Sequence, residues 1–199
     1  RVLARVLHTN AWSALNEATF HIGKRPVAGD LVISEIHYRP AAPSEEEVTA
    51  GFATRGLFEF IELYNPGAST VSLNEVALVS GVRFDFAGAE AGVLSVAPGA
   101  AVVVARDRAA FEHRYGTGLP LAGVFEGSKL SDSGEYLRLS LTDGTVLQEL
   151  TYNDKLPWPE GPDGDGPSLT LSSPSSDVAA ASDPANWQAS SEMGGTPGV

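Results

Sequence analysis

The chain contains no cysteine, and with the sulfur go disulfides, thiolate zinc sites and cysteine nucleophiles. Basic residues are scarce. Thirteen Lys and Arg against 25 Asp and Glu leave a net charge of −12, which opposes a non-specific grip on phosphate backbones and argues against a nucleic-acid partner. No apolar run approaches the ~20 residues of a membrane helix, so no membrane insertion is expected. Arg1 and Arg5 are followed by neither a long apolar core nor a small-residue cleavage site. The sequence starts at Arg1 rather than Met, and we therefore expect a signal peptide or upstream domains to have preceded it. No segment repeats at roughly 20 to 50 residues, which excludes solenoids and propellers.

What is abundant is equally informative. Twenty-one glycines and 13 prolines stand beside 43 % hydrophobic residues, too apolar for disorder and too interrupted for long helices. That mixture reads as short strands joined by tight turns. At about 100 to 200 residues per domain, 199 residues allow one domain, or one plus a fragment, with a core large enough to need no staples.

The opening segment alternates as a hairpin does: Val2, Ala4 and Val6, a polar turn at His8 to Asn10, Trp12, then Ala18, Phe20 and Ile22. An isolated hairpin is marginal, so its apolar face calls for a partner. Lys24 to Gly29 has linker chemistry. Residues 1–29 are thus expected to be a hairpin plus linker, the hairpin either docking on the main domain or being the terminal hairpin of a preceding β-domain, and residues 30–199 a separate β-domain. Within the latter, strands are expected at Leu31–Tyr38, Phe58–Tyr64, Val71–Leu73, Val76–Val79, Arg83–Phe86, Val93–Val96, Ala101–Ala105, Tyr136–Leu141 and Val146–Tyr152. Thr142-Asp143-Gly144-Thr145 joins the last two as a hairpin turn. One helix is expected, capped by Asp107, with Phe111 and Tyr115 on one face and Gly116 at its end. Between the first two strands, Pro40, Pro43 and Glu45-Glu46-Glu47 read as a solvated excursion. The pattern gives an all-β, immunoglobulin-like β-sandwich of about seven to nine strands with one short helix. Its core is expected to include Ile33, Ile61, Leu63, Val103, Leu137, Leu139 and Leu141.

Several motifs occur in order: Ile33-Ser34-Glu35-Ile36-His37-Tyr38-Arg39-Pro40; Glu59-Phe60-Ile61-Glu62-Leu63-Tyr64-Asn65; Ala97-Pro98-Gly99 before a valine strand; Leu130-Ser131-Asp132-Ser133-Gly134-Glu135; Pro157-Trp158-Pro159 with Asp163-Gly164 and Ser168-Leu169; and Asn186-Trp187 followed by Gly194-Gly195-Thr196-Pro197-Gly198. From about Asp30 to Gly198 the chain resembles the bacterial lamin-tail domain. The resemblance implies an immunoglobulin-like sandwich of lamin-tail type, one module within a long secreted or cell-surface protein, beside neighbouring domains of the same chain. It departs from the family in its acidic insert and in lacking the coiled-coil rod of animal lamins, so a nuclear-filament role does not transfer.

Chemistry was sought residue by residue. Glu35, Glu59 and Glu62 invite a paired-carboxylate reading, but alternation sends Glu59 and Glu62 to opposite faces, and carboxylates that serve the sheet are the better account. His8, His21, His37 and His113 form no metal-ligand spacing, and no Gly-x-Ser-x-Gly elbow exists. Asp154, Glu160, Asp163 and Asp165 lie on glycine-rich chain and are candidate calcium ligands, although Asp163-Gly164 and Asp165-Gly166 serve equally as turn formers. Calcium is the one cofactor considered. Trp158, between two prolines, is a candidate platform for sugar or peptide, against the reading that it pins a loop onto the sandwich. The expectation is a non-catalytic interaction or structural module with a protein or polysaccharide partner. The alternative is a carbohydrate-binding accessory domain of an extracellular hydrolase.

Overall fold

Alternating β-branched segments bounded by glycine and proline form strands because a pleated, half-buried surface suits them. The computed structural model describes residues 2–18, 23–89, 93–127 and 129–198. In chain order the elements are β1 (Val2–Ala4), β2 (Leu7–His8), β3 (Ala11–Trp12), β4 (Asn16–Ala18), β5 (Val32–His37), α1 (Glu45–Thr49), β6 (Phe60–Tyr64), β7 (Val71–Ser72), β8 (Val76–Ser80) and β9 (Phe84–Asp85). They continue with β10 (Ser95–Val96), β11 (Ala101–Ala105), α2 (Arg108–Tyr115), β12 (Leu121–Val124), β13 (Glu135–Leu141), β14 (Val146–Tyr152), β15 (Leu169–Leu171) and β16 (Trp187–Ala189). Two sheets face each other: a six-stranded one in the order β12-β11-β6-β5-β15-β16 and a four-stranded one in the order β14-β13-β8-β9. Only β11 and β12 pair in parallel within them. The expected strand number falls short because Leu121–Val124 and Trp187–Ala189 add an edge to either side of the larger sheet.

The space between the sheets is filled by Ile33, Ile36, Ile61 and Leu63 from one side and Leu78, Leu137, Leu139 and Leu141 from the other, all fully buried. Each such side chain contributes roughly 1.5–3 kcal/mol relative to exposure. Val103 is buried too, but on the opposite face, where it packs with Phe60, Phe111 and Leu121 beneath α2. One polar group crosses the core. β15 pairs only with Glu35 and Ile36 of β5, and beyond that ladder the Ile33 N–H donates to Gln148 Oε1 of β14 at 2.6 Å.

The expected helix is α2. Asp107 accepts from the Ala110 N–H at its start, Gly116 ends it with φ 87°, and Phe111 and Tyr115 set their rings against Phe60. A second helix, α1, corrects the reading of the acidic stretch as a solvated excursion. Ser44 and Glu47 form a reciprocal capping box, and Glu47 then takes a two-point ion pair from Arg114 at 2.7 and 2.8 Å. Arg114 lies flat on Phe58, so the acidic segment is fastened to α2 rather than left in water.

The N-terminal hairpin exists, with β1 paired to β4, β2 to β3, and Thr9 and Asn10 at positive φ in the turn. Phe20, His21 and Ile22 lie outside the described residues. Every side chain from Leu3 to Glu17 is exposed, Trp12 by 55 %. The segment read as linker is instead stitched to the sandwich: Lys24 exchanges backbone hydrogen bonds with Thr70 and Ser72, and Arg25 pairs with Glu75 and Asp143.

Candidate functional site

Three places were candidates for chemistry or binding. The first is on the outer face of the six-stranded sheet. A register shift in β5 at Ser34 turns Ser34 toward Glu62 and sets Glu35 directly opposite Glu62 on β6. Both carboxylates are buried, at 1 % and 2 % exposure. Glu35 accepts from Ser168 Oγ at 2.5 Å, the Thr196 N–H at 2.8 Å and Thr196 Oγ1 at 2.9 Å. Glu62 accepts from Ser34 Oγ at 2.6 Å and the Gly198 N–H at 2.7 Å. Among the described residues no Lys, Arg or His forms an ion pair with either carboxylate. Desolvation pushes the Glu35 carboxyl up and the Glu62 carboxyl up to about 7, the latter also through Glu35. A cleft of 310 Å³ opens beside them, lined by Tyr64, Thr170, Pro174 and Thr196.

Glu59 does point elsewhere, as alternation requires. Its carboxylate accepts from the Leu130 N–H at 2.8 Å, and burial lifts it to about 7. His37, fully buried, stands 3.2 Å from the Tyr115 hydroxyl, which donates to the Gly194 carbonyl; burial drives this imidazole down to about 3, leaving it neutral. Glu35 and Glu62 line that cleft beside Ser34, and the donors they accept come from the sheet, Ser168, Thr196 and Gly198, so the arrangement fastens backbone.

The second place is the glycine-rich loop after β14. Trp158 is only 6 % exposed, and its ring lies 5.9 Å from that of Trp187, whose Nε1–H donates to Ala181 O. It belongs to the core, which corrects its reading as a ligand platform: the flanking prolines turn the ring inward. The carboxylates expected to hold calcium are not brought together. Asp163 pairs with Arg39, Glu160 and Asp165 are exposed, and Asp154 is half-buried with an unpartnered Oδ1. Arg55 packs against Gly164 as well, so two guanidinium groups flank the loop where a cation was expected. Among the described residues no three His, Cys, Asp or Glu side chains are grouped to hold a metal ion.

The third place was not read from the sequence. Between the short edge strand β9 and the unpaired edge of β12 runs an open groove of 650 Å³, lined by Leu78, Val79, Phe84 and Val124 and rimmed by Arg83, Asp85 and Glu126. Arg83 and Glu126 exchange backbone hydrogen bonds at one end and tie the two sheets together. Val79 and Val124 are 44 % and 41 % exposed. Phe84 covers Gly123 so closely that a β-carbon there would lie 2.7 Å from its ring. The available signal was the glycine inside the Leu121–Val124 run, since strand glycines mark close approach.

A family model described as Lamin Tail Domain matches residues 24–154, more than half of the chain. Its start coincides with the stitched Lys24. Its end falls short of β15 and β16, which complete the larger sheet, and of the segment whose Thr196 and Gly198 hold Glu35 and Glu62. Searches of curated proteins and of solved structures gave no significant match.

Proposed function

The chain belongs to the lamin-tail-domain family, whose members are immunoglobulin-like and generally non-catalytic interaction modules, and from that premise we propose that it binds a protein partner along the groove between β9 and β12. The observation that carries this reading is the groove itself: an unpaired strand edge beside exposed Val79 and Val124 and half-buried Phe84, with charges of both signs at its rim. An extended peptide satisfies such an edge through its backbone and fills the apolar floor with alternate side chains. The module works within a larger secreted or cell-surface bacterial protein, and the exposed hairpin at residues 2–18 is the surface it offers to a preceding domain. The carbohydrate-binding alternative loses its support with Trp158 in the core.

The test is selection from a displayed library of random peptides, followed by mapping of amide shifts in the labelled protein. Bound peptides are expected to move the amides of Leu121–Val124 and Phe84, and Val124→Lys is expected to abolish binding. Binders that perturb only other surfaces, or saturable binding of soluble polysaccharides without peptide binding, would overturn the assignment.

A further inference from the structure

The Gly194–Gly198 segment is a strap rather than a tail, since its backbone and side chains donate to two buried carboxylates on neighbouring strands. Three of the five donors received by Glu35 and Glu62 come from it: Thr196 N–H, Thr196 Oγ1 and Gly198 N–H. Gly194, Gly195 and Gly198 all have positive φ, near 90°, which lets the backbone bend down to the sheet. A β-carbon on Gly195 would stand 2.3 Å from Glu35 Oε1. The strands beneath cannot yield, because β5 and β6 are interior to the sheet. The strap can, since its further anchors are Tyr115 to Gly194 O, the Gly194 N–H to Gly166 O, the Gly195 N–H to Glu192 O and the buried ring of Pro197, none of them a strand pairing.

We propose that the strap is a proton-controlled latch: it closes over Glu35 and Glu62 while the pair holds a proton, and lifts when both carboxylates are ionised. Two anions facing each other across one strand pair, with no cation beside them among the described residues, repel and demand water, and the strap is what excludes it. The ionisable neighbours do not supply a countercharge. β5 presents neutral His37, α2 presents Tyr115, and Tyr64 of β6 lines the cleft; Ser168, just before β15, and Thr170 within it are uncharged, and Glu192, which precedes the strap, is exposed. Arg114, next to Tyr115, is held by Glu47. The raised carboxyls place the change between about pH 4.5 and about 7. Because the closed-state affinity for protons exceeds that of the open state, closure is favoured at the acid end and lost as pH rises through that window.

Amide hydrogen exchange of the full chain, corrected for intrinsic rates, tests this directly. On going from pH 5.5 to 8.5 the protection of Thr196 and Gly198 is expected to fall at least about tenfold while Ile61 and Leu139 keep theirs, a ratio set by a displaced proton affinity of more than one unit. Glu62→Gln is expected to hold the strap closed at both pH values. Equal protection of Thr196 and Gly198 at both pH values in the wild-type protein would overturn the latch, as would a fall shared by the core amides. Since the wild-type measurement decides alone, misfolding of the variant leaves the result intact.

Discussion

On its inner face the six-stranded sheet buries Ile33, Ile36, Ile61 and Leu63 against leucines of the opposite sheet, while on its outer face the same strands bury Glu35, His37 and Glu62. The inner face is held by burial, which is non-directional and forgiving of small changes in shape. Beside the apolar cluster under α2, the part of the outer face beneath the strap is held by hydrogen bonds from residues 133, 136 and 161 positions away, each of which fixes one atom against another. Bulk stability therefore resides between the sheets, and the identity and ionisation of particular atoms matter beneath the strap. Each prediction below tests that division.

Leu139→Ala is expected to cost about 3 kcal/mol in denaturant unfolding through lost burial and the cavity left behind, with the pH dependence of stability unchanged. A changed pH profile would mean the two faces are coupled. Gly195→Ala is expected to cost about 2 kcal/mol, since the new methyl meets Glu35 Oε1 and φ near 90° strains alanine. Its effect should stay on the outer face, leaving the fluorescence of Trp158 and Trp187 native; a shifted spectrum would contradict it.

Arg114→Met is expected to cost about 1–2 kcal/mol near neutral pH, because Glu47 is left buried without its partner. The sign is opposite to that of the latch. Arg114 holds the Glu47 carboxyl down at about 2, so the pair contributes above about pH 4.5 and fades as pH falls toward 2. The difference between variant and wild type in a pH series should shrink over that acid range. Trp12→Ala, in the exposed hairpin, should change stability by no more than about 0.5 kcal/mol. A larger loss would show that the hairpin packs on the sandwich. The smallest expected effect is that of calcium: melting curves in calcium and in chelator should coincide, whereas an ion bound at a hundredfold excess over Kd would add about 2.7 kcal/mol.

The same division governs what could be read from sequence. Ile33, Ile61, Leu63, Leu137, Leu139 and Leu141 were legible as core because alternation is local. So was α2, whose cap, apolar pair and terminating glycine lie within ten residues. Helix α1 carried its signature in Ser44 and Glu47, but three consecutive glutamates masked it as solvated chain. Glu35 and Glu62 were legible as sheet residues, yet their partners could not be named. Ser168, Thr196 and Gly198 meet them only after the chain has returned to the larger sheet. Trp158 was ambiguous for the same reason, since Trp187 arrives with the last strand. Local pattern assigns faces; it does not reveal which distant donor will find a buried oxygen.

Gln148 shows what a single amide can do for folding fidelity. A slide of β14 along β13 by one residue would turn Leu150 and Tyr152 outward and is rejected by the hydrophobic pattern alone. A slide by two keeps inward positions inward and would carry Leu150 into the place of Gln148, but it also carries Asp154 into the place of buried Tyr152. In that misaligned state the Ile33 N–H has no acceptor across the interior, at a cost of about 1–3 kcal/mol. The amide thus adds a directional check on an alignment that the Asp143-Gly144 turn and the burial of Tyr152 already favour.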